Sequence, residues 1–181
     1  MTDEQLMLAF VHGHRASFDE LFLRYRQAIY AYYRRRVLDP SRAEELTQET
    51  FLALFRAAGR YQPRALFRTY LYAIAFRILA AERRKAALRA FLLLAGPEAA
   101  REERGPEDAL WLRQALGRLE RTDREILLLR EFDEFSYAEI AELLGLPLNT
   151  VRSRLFRARL ALRESLEGAR PESSAALGEL S

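Results

Sequence analysis

Residues 136–162 read SYAEIAELLGLPLNTVRSRLFRARLAL, and their pattern predicts two short helices joined by a tight turn. Ser136 and Glu139 have the spacing of a capping box, which marks the start of the first helix. Gly145 is the residue type that commonly ends a helix, and Pro147 suits the first position of the next one. This order of signals predicts a helix-turn-helix.

The second of these helices is predicted to have one apolar face and one polar face. Val151, Leu155 and Ala158 recur at helical spacing, so they should pack against the first helix. Each residue turns the helix by about 100 degrees, which sets the outward positions. The residues that point away from the core are then Arg152, Ser153, Phe156 and Arg157.

An outward face of Arg and Phe is suited to the major groove of DNA. The groove admits one helix, and Arg pairs well with the edge of guanine. An ordinary solvated surface would account for outward arginines, but it does not account for Phe156 among them. We therefore predict that this helix contacts DNA.

Helix-type spacing continues through most of the chain, without the alternating patterns of strands. The sequence predicts an all-α protein of two small helical domains, with further capping boxes at Ser41 with Glu44 and at Thr122 with Glu125. Two Gly-Pro steps between residues 91 and 108 predict a flexible linker. The predicted boundaries are a first domain over 1–90, a linker over 91–106, a second domain over 107–167 and a disordered tail over 168–181.

Composition excludes several classes of protein. The 181 residues include no Cys, so disulfides, thiolate metal sites and thiol nucleophiles are excluded. No signal peptide is recognisable, and no apolar run approaches the roughly 18 residues of a membrane span, so we expect a cytoplasmic protein without membrane insertion. His12 and His14, the only histidines, are poorly spaced for a shared metal. With no Gly-rich phosphate loop or nucleophile elbow, we expect no enzyme activity, no cofactor and no metal.

A second basic segment runs from Arg64 to Arg89, with seven basic residues and one acidic residue, interleaved with aromatic residues. Aromatic rings beside cations are typical of surfaces that bind single-stranded nucleic acid. Aromatic residues at helical spacing also commonly form the core, so both interpretations remain open for each ring.

Three stretches of the chain together resemble a bacterial sigma factor of the extracytoplasmic-function (ECF) group. Residues 41–57, SRAEELTQETFLALFRA, resemble the start of sigma region 2, and 66–85, LFRTYLYAIAFRILAAERRK, resemble its promoter-melting part. Residues 119–163, LERTDREILLLREFDEFSYAEIAELLGLPLNTVRSRLFRARLALR, resemble region 4. The resemblance implies an initiation factor that directs RNA polymerase to promoters, melts the DNA there and starts transcription at a specific regulon.

The resemblance also implies three contact surfaces and a set of partners. The partners are the core polymerase, through the clamp coiled coil of its largest subunit and the flap of its second-largest subunit, promoter DNA, and an anti-sigma factor. Implied polymerase contacts are Glu45, Thr47, Gln48, Glu49 and Thr50. Implied minus 10 contacts are Tyr61, Phe67, Arg68, Tyr70, Arg77, Arg83, Arg84 and Lys85. Implied minus 35 readers are Arg152, Ser153, Phe156 and Arg157, with Asn149, Thr150, Arg154 and Arg159 as contacts to the DNA backbone.

The chain departs from the family pattern at three positions in the melting segment. Arg77 stands where Asn is common, Ala81 where Asp or Asn is common, and Tyr70 where Trp is usual. The departures at Arg77 and Ala81 keep an alternative open, a sigma-like regulator that binds DNA or polymerase without initiating transcription.

Overall fold

The computed structural model describes residues 1–93 and 107–167, and the side chains of 1–89 and 112–167. The chain divides into two compact units, Met1–Glu98 and Ala99–Ser181. The described residues form helices, turns and loops without a strand, which confirms the all-helical prediction. No helix among them is long and apolar enough to cross a membrane.

Residues 1–93 of the first unit form four α-helices, in which α2 packs on both α1 and α3 while α3 packs on α4. Leu21, Ile29, Leu46, Leu54 and Leu71 are fully buried between them. The helices are α1 Asp3–Val11, α2 Arg15–Arg34, α3 Pro40–Ala57 and α4 Phe67–Leu93, with a 3-10 turn at Ala58–Arg60.

In the second unit, α8 packs on the three helices that precede it. Ile126, Leu129, Phe135 and Ile140 form the centre of its core. The helices are α5 Glu107–Arg118, α6 Arg121–Glu131, α7 Tyr137–Leu144 and α8 Leu148–Glu167.

The helix-turn-helix prediction is confirmed by α7 and α8. Ser136 and Glu139 form the reciprocal capping box, and Gly145 ends α7 in the left-handed region at φ 65°. The carbonyl of Pro147 accepts the hydrogen bond of the Val151 amide. Pro147 therefore occupies the cap position of α8, one residue before the position that the sequence predicted.

Two other predicted capping boxes are wrong, because each helix starts earlier than expected. Asp39 caps α3, its carboxylate accepting from the Ser41 amide, and Pro40 takes the first helical position. Glu120 caps α6 by accepting from the Thr122 amide.

The linker and tail predictions fall largely beyond what the structure describes. Residues 94–106 and 168–181 lie outside the described residues. Residues 91–93, placed in the linker by the sequence, belong to the end of α4.

Candidate nucleic-acid interface

The outward face of α8 has the composition that the sequence predicted. Val151 is fully buried and Leu155 and Ala158 are each 1% exposed, so this side is held against the unit's core. Phe156 is 69% exposed on the other side. The remaining exposed residues of that side are Arg152, Ser153 and Arg157. This face, Arg152, Ser153, Phe156 and Arg157, is called the reading face below.

The start of α8 adds polar groups beside the reading face. Asn149 is exposed and Thr150 is half-buried. The carbonyl of Thr150 accepts a hydrogen bond from the Ser153 hydroxyl at 3.1 Å. The amide groups at the start of a helix carry partial positive charge, which favours a nearby phosphate.

Two arginines of α8 are engaged with acidic residues of the same unit. Arg154 donates to Glu120 at 2.6 Å and to Asp123 at 2.8 Å. These hydrogen bonds, that to Asp123 foremost, raise the pKa of Arg154. Arg159 donates to Glu131 on α6 at 2.5 Å. Both arginines therefore help to hold α8 against α6, a role that the sequence did not reveal.

The basic segment of α4 divides into exposed and part-buried positions. Arg77, Arg84 and Lys85 are exposed. Arg68 and Arg83 are half-buried and have partners within the unit. Cations able to meet a nucleic acid are thus concentrated at the middle and distal parts of the helix.

The aromatic residues at the start of α4 are mainly structural. Phe67 is fully buried, with its ring centroid 5.5 Å from that of Tyr25. Tyr61 is 7% exposed, and its ring packs 5.1 Å from that of half-buried Tyr70. The rings of Tyr61 and Phe67 pack on each other inside the unit, so neither ring is free to stack on a base in this structure. Their place near the minus 10 strand stays a prediction. Burial also raises the pKa of Tyr61 to about 12.

The N-terminus of α4 is held by a residue that sequence reasoning missed. The Phe67 amide donates to the carboxylate of Glu4 at 2.8 Å, across a separation of 63 residues. That hydrogen bond lowers the pKa of the Glu4 carboxyl. In the sequence Glu4 looks only like a favourable charge in the first turn of α1.

Comparison with known proteins decides the family. Profiles for sigma-70 region 2 and sigma-70 region 4 match residues 21–89 and 109–162. The RNA polymerase sigma-H factor of Pseudomonas aeruginosa is 32% identical over 91% of this chain and 94% of its own length. The ECF RNA polymerase sigma-E factor of Salmonella typhimurium is 32% identical over 92% of this chain and 95% of its own length.

The chain belongs to the ECF sigma factors of the sigma-70 family. The solved structure of CnrH in complex with the cytosolic domain of CnrY shares the fold, with a TM-score of 0.72 at 24% identity, covering 93% of this chain and 99% of that one. The resemblance seen in the sequence is thereby confirmed. The reading face of this ECF sigma factor lies within the region 4 match, whereas α1 precedes the region 2 match.

In region 2 of this ECF sigma factor, only some of the residues expected to contact the polymerase are exposed. Glu45, Gln48 and Glu49 are exposed on α3. Thr47 is 7% exposed and Thr50 is fully buried. Their hydroxyls donate to backbone carbonyls one turn earlier, at 2.7 and 2.8 Å. Fully buried Thr50 cannot contact a partner protein, so the structure contradicts the expectation for this residue. Thr47 lines the groove between α2 and α3 and stays a predicted contact.

The exposed side of α3 is continuous with a groove against α2. This groove has a volume of about 440 Å³. It is lined by Phe22, Arg26, Gln27, Tyr30, Glu44, Thr47 and Gln48. Nearby, Arg42 pairs with Glu45 at 2.5 Å, with Glu49 at 3.2 Å and with Glu82 of α4 at 2.7 Å. Glu82 lies 40 residues from Arg42, so its place in this cluster has no local signal in the sequence.

Proposed function

We propose that this ECF sigma factor binds core RNA polymerase in the cytoplasm and directs it to promoters, where region 4 binds the minus 35 element and region 2 opens the minus 10 element. The observation that carries the proposal is the reading face of α8, where Phe156 is 69% exposed beside Arg152 and Arg157 on the side opposite the core. Contact with base edges and thymine methyl groups would explain why a Phe side chain is exposed between two arginines.

At the minus 35 element, the reading face enters the major groove. Arg152 and Arg157 pair with guanine edges, and Phe156 packs on apolar base groups. Asn149 and Thr150, at the start of α8, contact the adjacent phosphates together with the helix N-terminus. Arg154 and Arg159 reach phosphates only where they leave their carboxylate partners.

At the minus 10 element, α4 supplies the cations for the unpaired strand. Arg77, Arg84 and Lys85 are exposed along one helix and can hold phosphates. Tyr70, which is half-buried, is better placed to stack on a base than Tyr61 and Phe67, whose rings are buried and pack on each other.

Polymerase binding uses the exposed side of α3. Glu45, Gln48 and Glu49 contact the clamp coiled coil of the largest subunit, beside the groove between α2 and α3. Region 4 contacts the flap of the second-largest subunit. All covalent chemistry then belongs to the polymerase, and this chain contributes only binding energy.

An anti-sigma factor is a further proposed partner. The similar fold of CnrH was solved with the cytosolic domain of CnrY bound. A protein that occupies the exposed side of α3 or the reading face would prevent initiation by the same chain.

The deciding experiment is run-off transcription from a pool of randomised promoters, with bacterial core polymerase in the presence and absence of this protein. Transcripts that appear only with the protein establish initiation, and their templates give both promoter elements. A variant with Arg152→Ala and Phe156→Ala is the matched control: it should still bind core polymerase but should lose the upstream element from the selected templates. Selection of the same upstream element by this variant would remove the reading face from its assigned role.

The second candidate is a sigma-like regulator that does not initiate. It is favoured by Arg77, an exposed cation where the family commonly has Asn, and by Ala81 one turn further along α4. If core polymerase binds the protein and no transcript appears, Arg77→Asn should restore initiation. Failure of that reversion would leave the second candidate in place.

A further inference from the structure

The first turn of α1 lies against the start of α4. Glu4 accepts the hydrogen bond of the Phe67 amide at 2.8 Å. Its neighbour Asp3 accepts from the Tyr25 hydroxyl and pairs with Arg24 at 2.7 Å. The ring of Tyr25 in turn packs on that of Phe67. Two adjacent carboxylates of α1 thus tie α2 and α4 together at one point.

The Phe67 amide needs an acceptor from outside its own helix. Phe67 is the first residue of α4, and the first four amide groups of a helix have no acceptor within the helix. No Ser, Thr, Asp or Asn lies in the preceding loop, residues 61–66, which reads YQPRAL. The acceptor comes instead from Glu4, a carboxylate that also suits the positive end of the helix dipole.

This arrangement fixes the loop as well as the helix. The loop begins at Tyr61, whose ring packs against Phe67 and Tyr70, and it ends at the amide that Glu4 holds. Both ends of the six-residue segment are therefore anchored on the same cluster. The direction of the loop and of Tyr70 depends on where α4 starts.

We propose that Glu4 is a positioning residue for promoter opening: its carboxylate fixes the N-terminus of α4 and so orients loop 61–66 and Tyr70 toward the unpaired minus 10 strand. The inference rests on the proposed function of region 2. It assigns a role to α1, which lies outside the residues that the region 2 profile matches.

The contact itself is tested by amide hydrogen exchange, measured residue by residue by NMR on the full chain. Glu4→Ala removes the acceptor, so the Phe67 amide should exchange at least tenfold faster. Glu4→Gln keeps an acceptor oxygen of the same reach and should retain most of the protection. Asp19→Asn, at an exposed carboxylate on α2, is the matched control for loss of one negative charge and should change nothing at Phe67.

Amide hydrogen exchange within α1 distinguishes loss of the single contact to Phe67 from unfolding of α1 itself. The amides of Leu8, Ala9 and Phe10 should keep their wild-type rates in Glu4→Ala. No change at Phe67, or an equal rise through α1 and at Phe67, would overturn the assignment.

The functional arm uses holoenzyme and a promoter recovered from the transcription selection. Two probes are compared: the single non-template strand across the minus 10 element, and a duplex that carries only the minus 35 element. Glu4→Ala should weaken binding of the single strand at least tenfold, with Glu4→Gln close to wild type. Its affinity for the minus 35 duplex and for core polymerase should be unchanged.

The outcomes of the two arms are separable. Faster exchange at Phe67 with unchanged strand binding would overturn the positioning role while leaving the contact intact. If wild-type holoenzyme opens no promoter, the proposed function fails, and the exchange experiment still decides whether Glu4 holds α4.

Discussion

The sequence predicted which residues of α8 are exposed, but it did not predict which of its arginines form ion pairs. The exposure of Phe156 followed from helical periodicity alone, because burial of Val151 and Leu155 determines which side faces outward. The partners of Arg154 did not follow, since Glu120 and Asp123 are 34 and 31 residues away and meet it only through the packing of α6 on α8. Arginines of one helix that look equivalent in the sequence therefore divide into outward and internally paired groups.

This division predicts different effects for two arginine variants. Arg157→Ala should weaken binding of promoter duplex by roughly 1–3 kcal/mol and relax the preference at one base pair of the minus 35 element, because a pairing with a guanine edge is lost. Arg154→Ala should leave the slope of log affinity against log salt nearly unchanged and instead destabilise the second unit. Holoenzyme binding to promoter duplexes varied at the minus 35 element, titrated with potassium chloride, measures the base preference and the slope.

A companion variant decides whether Arg154 can also reach DNA. In Glu120→Gln with Asp123→Asn, Arg154 loses both anionic partners. An unchanged slope is expected if Arg154 serves only to hold α8 on α6. A steeper slope would show that the freed side chain finds a phosphate, contrary to this assignment.

Buried hydroxyls of α3 allow a second test at the residue scale. The Thr50 hydroxyl lies 2.8 Å from that of Tyr33, which is buried and whose oxygen also lies 3.1 Å from the Ala75 carbonyl oxygen. Thr50→Val should lower the free energy of unfolding by about 1 kcal/mol, since a buried hydrogen-bonding partner is removed from Tyr33. Thr47→Val is the matched change, because the Thr47 hydroxyl bonds only a carbonyl of its own helix, and it should cost clearly less. Urea unfolding measures both, and equal losses would contradict the role given to Tyr33.

At the scale of elements, the helix-turn-helix was the part most completely predicted. Its signals are local: a capping box, a glycine and two apolar faces within 27 residues. The starts of α3 and α6 were misplaced by the same reasoning, because Asp39 and Glu120 bond the amide two residues on, and the sequence offers several candidate caps within one turn. Contacts between helices, such as Glu4 with Phe67, have no local signal at all.

The turn between α7 and α8 depends on the backbone of one glycine. Gly145 has φ 65°, and an added Cβ there would meet no atom within 4 Å, so the cost of Gly145→Ala comes from the backbone alone. We expect a loss of about 1 kcal/mol, the cost of placing a non-glycine residue in the left-handed region. Thermal unfolding followed by far-ultraviolet circular dichroism measures this loss.

Gly117, near the end of α5, is the matched control. It also has no atom within 4 Å of an added Cβ, and it lies in a regular helix. Gly117→Ala should therefore stabilise the unit by roughly 0.5–1 kcal/mol. A loss of stability at Gly117, or no loss at Gly145, would contradict this account of the turn.

At the scale of the whole molecule, charge is distributed to serve both stability and binding. The near balance of 29 basic and 26 acidic residues conceals pairing within each unit. Arg42 bonds Glu82 across α3 and α4, and this contact lowers the pKa of Glu82 below its ordinary 4.5. Arg77, Arg84 and Lys85 on α4 and Arg152 and Arg157 on α8 remain exposed, and these cations are proposed to contact DNA.

The Arg42 pair should make the first unit sensitive to acid. A carboxyl whose pKa is lower in the folded state contributes stability above its unfolded value of 4.5, and this contribution is lost as pH falls through the folded value. Glu82→Gln should therefore be less stable than wild type at pH 7, and the difference should shrink as the pH falls below 4.5. Tyrosine absorbance during urea unfolding follows mainly the first unit, which holds seven of the eight tyrosines. A difference that does not change with pH would exclude the ionic origin.

The two-sided arrangement of α8 has a consequence for the evolution of regulons. Residues that hold the helix in place and residues proposed to contact the bases alternate along one helix without sharing positions. New promoter preferences can therefore arise by substitution at the reading face with little penalty in folding. A library randomised at Arg152, Ser153, Phe156 and Arg157 should yield mostly folded variants, from which initiation factors orthogonal to the parent can be selected.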